Sequence, residues 1–210
     1  MNNVEFLRNL ENREITLNDW CEAFYDAKIF PLPTEEYSLF EQIARKTIDI
    51  FKLTNEYPYS GRRNEFGNHM ENVLIAGVKE VLGIEAKNLG SGYPDVHFEY
   101  NGKNYYPECK VGHHLWKKAD GFRMFYTSAP KPRTKALKNI KDGHHLLFHF
   151  EHGMIKDGPG VLTGRFKITD LDGFVYRVEA IQQGNAKDLY ENHNKIIVEN
   201  QVFNTIVSSV

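Results

Sequence analysis

Two acids and a lysine stand close together in the middle of the chain. Asp95 closes a Pro-Asp pair, and Glu108 and Lys110 flank a single cysteine. Carboxylate oxygens suit hard divalent cations, and a neighbouring amine can orient or deprotonate water and stabilise negative charge. Metal ions activate water and polarise phosphoryl oxygens in this way. The three residues are therefore predicted to carry out metal-assisted phosphodiester hydrolysis.

The dipeptide Asn101-Gly102 predicts how these residues are placed. Asn-Gly is the strongest short signal for a type I′ hairpin turn, because both residues tolerate positive φ. A two-residue turn fixes the register, so residue 98 faces residue 105 and Asp95 faces Glu108. Opposed side chains have Cβ atoms about 4.5–5.5 Å apart, and like charges so placed are destabilising unless neutralised. A divalent cation would neutralise them.

Side-chain alternation along the two strands separates a polar face from a core face. His97, Tyr106 and Lys110 are predicted to share the face of the two acids. Pro107 has no N–H to give to the ladder, so we expect a bulge or a separation of the strands there, with the acids still neighbours. The residues of the opposite face are predicted to be core: Val96, Phe98, Tyr105, Cys109 and Val111.

Two amphipathic helices are predicted before the hairpin. The first covers residues 35–53 after Thr34 as its cap, and the second runs from near Asn64 to Gly83. Residues 1–30 are amphipathic but allow no clear assignment. Later segments predict strands at 122–127, 146–151, 161–169, 174–181 and 196–206, with a short basic helix at 134–140. Helices flanking a mixed β-sheet, an α/β (α+β) fold, result.

The hairpin after the second helix resembles the motif of the PD-(D/E)XK nuclease superfamily. The residues that carry the resemblance are Pro94-Asp95 and Glu108-Cys109-Lys110. The preceding helix carries Gly67-Asn-His-Met-Glu71, similar to a Gly-x-x-x-acid pattern in many restriction enzymes of that superfamily. The segments 122–131 and 143–151 resemble the strands that follow the motif in type II restriction endonucleases. The resemblance covers residues 62–151.

This resemblance implies a restriction-endonuclease-like core and a Mg²⁺-dependent, sequence-specific endonuclease. Asp95, Glu108 and the backbone carbonyl of Cys109 would hold Mg²⁺, and Lys110 would sit beside the attacking water. The products would carry 5′-phosphates, and a homodimer would act on a short symmetric site in double-stranded DNA. Glu71 is a further candidate ligand.

Helical geometry places Glu71 in an apolar sector, so its carboxylate is predicted to be buried and to need a partner. The partner would be the metal or Lys110, or instead a nearby arginine or a backbone donor. Both readings stay open at this point.

Charge is unevenly distributed along the chain. The net charge is −2, but residues 102–141 contain ten Lys or Arg against two acids, or +8, and the remainder carries −10. A basic segment beginning at the acids suits a polyanion, although a solvated lysine-rich face is the alternative. The candidate DNA contacts are Arg62, Arg63, His97, Lys117, Lys118, Lys131, Arg133 and Lys135.

The 210 residues suit one nuclease domain, with residues 62–151 as the catalytic core and the flanks 1–61 and 152–210 serving dimerisation or DNA recognition. Two cysteines are too few for a disulfide framework, and the histidine spacing does not match a zinc site. Without an apolar leader or spanning segment, we expect a soluble cytoplasmic protein of a prokaryote or phage, with no membrane partner.

Two other readings remain at this stage. One is a repair, mobile-element or phage nuclease of the same fold, and the other is a catalytically inert DNA-binding protein.

Overall fold

The structure is a computed structural model that describes residues 14–54, 63–90, 93–113, 123–126, 140–153, 161–177, 183–185 and 196–200. Its helices are α1 (Leu17–Tyr25), α2 (Tyr37–Leu53) and α3 (Arg63–Leu82). Its strands are β1 (Glu14–Thr16), β2 (Lys87–Asn88), β3 (Val96–Tyr100), β4 (Lys103–His113), β5 (Arg123–Tyr126), β6 (His144–Gly153), β7 (Val161–Asp170), β8 (Val175–Arg177), β9 (Gln183–Asn185) and β10 (Ile196–Asn200). None of the helices in these ranges is long and apolar enough to cross a lipid bilayer.

The main sheet has six strands in the order β10-β7-β6-β4-β3-β2. β4 and β6 run parallel, and the other neighbours are antiparallel. Two short ladders, β1 with β8 and β5 with β9, lie outside it. The predicted mixed sheet flanked by helices is confirmed.

The hairpin of β3 and β4 has the predicted turn and register. Asn101 and Gly102 have φ of 50° and 72°, as a type I′ turn requires. The ladder contains three pairs, from Tyr100–Lys103 to Phe98–Tyr105, and then stops. Beyond that point β3 pairs with β2 on its other side. The strands thus part before Pro107, as its missing N–H predicted, and Asp95 and Glu108 are not a ladder pair.

One face of the sheet carries the larger core, against α2 and α3. All five residues predicted for the core face of the hairpin belong to it, with Val111 partly buried. The two helices approach closely at Gly77, because a Cβ there would overlap the hydroxyl of Thr47 on α2. That hydroxyl donates to the Ile43 carbonyl at 2.7 Å. α3 ends where predicted, with Gly83 at a φ of 68°.

The opposite face carries a second core, formed with α1 and the residues around it. Its buried members are Ile15, Leu17, Trp20, Cys21, Ile29, Tyr93, Leu147, Leu171 and Phe174. α1 begins with a capping box, because the Thr16 hydroxyl accepts from the Asp19 N–H at 3.1 Å and the Asp19 carboxylate accepts from the Thr16 N–H at 2.9 Å. The sequence pattern allowed no assignment for this helix, although the capping box was its available signal.

One helix start was predicted wrongly. Thr34 begins a 3₁₀ turn, Thr34–Glu36, and α2 follows from Tyr37 without a side-chain cap. The turn itself satisfies a backbone donor, since the Tyr37 N–H bonds to the Thr34 carbonyl. The predicted basic helix at 134–140 falls almost wholly outside the described residues.

Candidate active site

Asp95 lies just before β3, and β4 presents Glu108 and Lys110. Asp95 and Glu108 are buried, with 6% and 3% of their surfaces exposed. The Asp95 Oδ2 accepts from the Cys109 N–H at 3.0 Å, so the carboxylate bridges the gap where the strands have parted. The Asp95 carbonyl in turn accepts from the Leu89 N–H at 2.7 Å. Both ends of Asp95 are therefore held by neighbouring backbone.

The ammonium of Lys110 is in contact with three oxygen atoms. Its Nζ is 3.3 Å from the Asp95 Oδ2 and 3.3 Å from the Cys109 carbonyl oxygen. It also forms an ion pair with the Glu108 Oε1. These oxygens belong to the three groups that the resemblance to PD-(D/E)XK nucleases implies as metal ligands. They converge on one position, which the Lys110 ammonium occupies.

Two buried acids share one ammonium in this cluster. Burial raises the pKa of Glu108 to about 8; Lys110 opposes that rise and Asp95 adds to it. Burial alone would lower the pKa of Lys110, but Glu108 and Asp95 outweigh it and raise that pKa. Lys110 therefore keeps its positive charge at neutral pH, while burial favours the neutral form of Glu108 there.

This arrangement fits a hard divalent cation. Two carboxylate oxygens and a carbonyl oxygen form a donor set of the kind that Mg²⁺ uses, and the buried Glu108 Oε2 has no hydrogen-bond partner within the described structure. Within those same ranges no group of three or more His, Cys, Asp or Glu side chains is placed to hold a metal ion.

Glu71 approaches the same site from α3 but is half-buried, so the expectation of a buried carboxylate was wrong. Its Oε2 accepts from the Asn88 Nδ2 at 3.1 Å, and its charge helps to raise the pKa of Cys109, after burial and Asp95. Glu71 thus lies near the cluster with a polar partner of its own. A role as a metal ligand stays a prediction.

A stack of four rings supports the strand ends behind the acids. The centroids of His97 and Tyr106 are 4.8 Å apart, those of Tyr106 and His145 4.7 Å, and those of His145 and Tyr93 5.6 Å. The Tyr93 hydroxyl is hydrogen-bonded to the His145 Nδ1. Tyr93 lies two residues before Asp95 and Tyr106 two before Glu108, so the stack links both acid-bearing segments to β6. Sequence reasoning missed this support because His145 is remote along the chain.

His149 borders the cluster from β6, opposite Lys110 in the parallel ladder. The ring is buried over Gly112, where a Cβ would overlap its Nε2. Burial, followed by the positive charges of Lys167 and Lys110, lowers the pKa of His149 to about 3. A neutral imidazole therefore flanks the lysine, and glycine at 112 makes the room for it.

Little of the predicted DNA-contact set lies in the described structure. His97 has its Nε2 at 3.0 Å from the Asn104 Oδ1 in addition to its ring stack, and Arg63 is the first residue of α3. For both, contact with DNA stays a prediction. The remaining candidates lie outside the described residues: Arg62, Lys117, Lys118, Lys131, Arg133 and Lys135.

A mixed sheet flanked by helices, with two acids and a lysine where its hairpin strands part, is compatible with the restriction-endonuclease-like core of the PD-(D/E)XK class. The family model of the type II restriction enzyme MjaV family matches residues 10–193. The chain belongs to that family, and it is a type II restriction endonuclease, a site-specific deoxyribonuclease.

A similar protein is the type II restriction enzyme MjaV of Methanocaldococcus jannaschii. It is 25% identical over 205 residues, an alignment that covers 85% of this chain and 86% of the relative. No solved structure shows a significant match.

Proposed function

We propose that this endonuclease requires Mg²⁺ and hydrolyses phosphodiester bonds of double-stranded DNA at a short specific sequence, leaving 5′-phosphates. The observation that carries the proposal is the convergence of the Asp95 Oδ2, the Glu108 Oε1 and the Cys109 carbonyl oxygen on one cationic position. These atoms would hold the metal ion. Bound there, Mg²⁺ would polarise the scissile phosphate and lower the pKa of a bound water.

Lys110 supplies the positive charge beside that water. Without a bound metal ion, Glu108 and Asp95 raise its pKa against the effect of burial, so it is an ammonium at neutral pH. Beside a bound metal ion it would orient the attacking water or take a proton from it, and it would stabilise negative charge on the phosphate in the transition state. The backbone contacts of Asp95 and the ring stack keep the acids in place for this task.

The basic segment of residues 102–141 would deliver DNA to the site through phosphate contacts. A homodimer with two such sites would cut both strands of a symmetric sequence. Sedimentation of the protein with and without a cognate duplex tests the dimer. We place the enzyme in the cytoplasm of its prokaryotic or phage-infected host, where it meets DNA.

Plasmid digestion tests the function. Wild-type protein with Mg²⁺ should give discrete, reproducible fragments that ligase can rejoin without prior phosphorylation, and chelation with EDTA should stop cleavage. Asp95→Asn should be inactive, whereas Glu99→Gln, an exposed acid on β3, should cleave like wild type.

Three outcomes would count against the proposal. Undiminished cleavage by Asp95→Asn would refute the site, and cleavage in EDTA would refute the metal requirement. A smear in place of fragments would indicate a nuclease without sequence specificity.

A further inference from the structure

The Lys110 ammonium lies where the donor oxygens of the proposed metal site meet. It contacts one oxygen of each of the three ligand groups, at 3.3 Å for the Asp95 Oδ2 and 3.3 Å for the Cys109 carbonyl. The third contact is the ion pair with Glu108. An ammonium in these contacts and a second cation bound to the same three atoms exclude each other.

We propose that Lys110 is the resident counter-ion of the metal site and that a divalent cation binds only by displacing its ammonium. This inference rests on the proposed function. Displacement explains how one lysine serves two states of the protein. Without metal it neutralises charge on the buried acids, and with metal its ammonium is released toward the water and the phosphate.

Lys110 and a divalent cation compete for the same oxygen atoms. Hydrogen bonds to charged groups are worth more than neutral ones, and Lys110 makes its contacts in a site where its side chain is 21% exposed. A divalent cation must replace these contacts before it gains its own. Lys110 therefore lowers the affinity of the site for metal, although catalysis depends on it.

Metal binding to the DNA-free protein tests the idea, with Mn²⁺ as the probe and free Mn²⁺ followed by electron paramagnetic resonance. Lys110→Met keeps the length of the side chain and removes its charge, so it should bind Mn²⁺ about tenfold or more tightly than wild type. Lys110→Arg restores a competing cation and should stay near the wild-type affinity. Glu108→Gln should bind more weakly.

Lys103 provides a matched control on the same strand. Its Nζ pairs with the Glu36 Oε1 at 2.7 Å, away from the acids of the site. Lys103→Met removes a lysine–glutamate pair of the same kind and should leave Mn²⁺ affinity unchanged. A gain of affinity in both lysine variants would point to general loss of positive charge and would overturn the proposal.

A second measurement follows the Lys110 ammonium directly in the wild-type protein. The ¹⁵N signal of the Lys110 ammonium, assigned by its absence in Lys110→Arg, should shift or disappear when Mg²⁺ is added to wild-type protein. An unchanged signal at saturating Mg²⁺ would overturn the proposal even if Lys110→Met failed to fold.

Cleavage separates this inference from the proposed function. If wild-type protein cuts plasmid with Mg²⁺ while Lys110→Met gains no Mn²⁺ affinity, only the displacement is wrong. If wild type neither cuts DNA with Mg²⁺ or Mn²⁺ nor binds either ion, the proposed function and the displacement both fail.

Discussion

Acid should weaken the fold through His145. Its ring is buried on β6, and burial, followed by the neighbouring His144, lowers its pKa to about 3. In the unfolded chain the pKa returns to about 6.5. Above that value both states are neutral and His145 adds no pH dependence. As the pH falls below about 6.5, the histidine is protonated in the unfolded chain but stays neutral in the folded protein. The free energy of unfolding therefore decreases.

The size of the effect follows from the same two pKa values. At pH 5 the solution is about 1.5 pH units below the pKa of the unfolded histidine. At about 1.36 kcal/mol per unit, His145 then lowers the free energy of unfolding by about 2 kcal/mol. Near pH 7.5 the cost is close to zero. A loss of about 2 kcal/mol is a large share of the stability of a typical domain.

Urea unfolding at the two pH values measures this difference. His145→Asn keeps an amide near the position of the Nδ1 but cannot titrate, so its pH-dependent loss should be about 2 kcal/mol smaller than that of wild type. Phe148→Leu, a buried substitution on the same strand without a titrating group, should keep the full wild-type loss. If His145→Asn shows the wild-type difference between the two pH values, the reasoning is refuted.

Three further substitutions test packing and hydrogen bonding. Gly77→Ala should lower the free energy of unfolding by about 1–3 kcal/mol, because its Cβ would overlap the Thr47 hydroxyl. Gly67→Ala in the same helix is the control, because its Cβ would meet no described atom within 4 Å; it should raise the free energy of unfolding by about 0.5–1 kcal/mol. Equal effects of the two substitutions in urea unfolding would contradict the close approach of the helices. Tyr93→Phe removes the hydroxyl bonded to the His145 Nδ1 and should cost about 1–3 kcal/mol in the same assay; unchanged stability would show that this bond contributes nothing.

Local rules predicted the hairpin well. The positive φ that Asn101 and Gly102 tolerate sets the turn, the turn sets the register, and alternation then sorts core from polar residues. The missing N–H of Pro107 correctly predicted that the strands part. The end of α3 at Gly83 followed from the same kind of local chemistry.

Contacts between residues far apart in the chain could not be predicted from the sequence pattern. The parallel pairing of β4 with β6 joins residues about 40 positions apart, and it alone brings His145 and His149 to the site. The half-burial of Glu71 depends on how α3 sits against its neighbours, which a helical wheel does not contain. The simultaneous contact of Lys110 with three oxygens depends on side-chain direction, which the register of a ladder leaves undetermined.

The alternation of β4 has a consequence at the level of the gene. One strand supplies residues of the larger core, Tyr105 and Cys109, and residues of the proposed active site, Glu108 and Lys110. Inserting or deleting one codon between the Asn101-Gly102 turn and Glu108 would exchange the two faces of everything beyond it. Changes of length in this stretch should therefore be purged far more strictly than point substitutions.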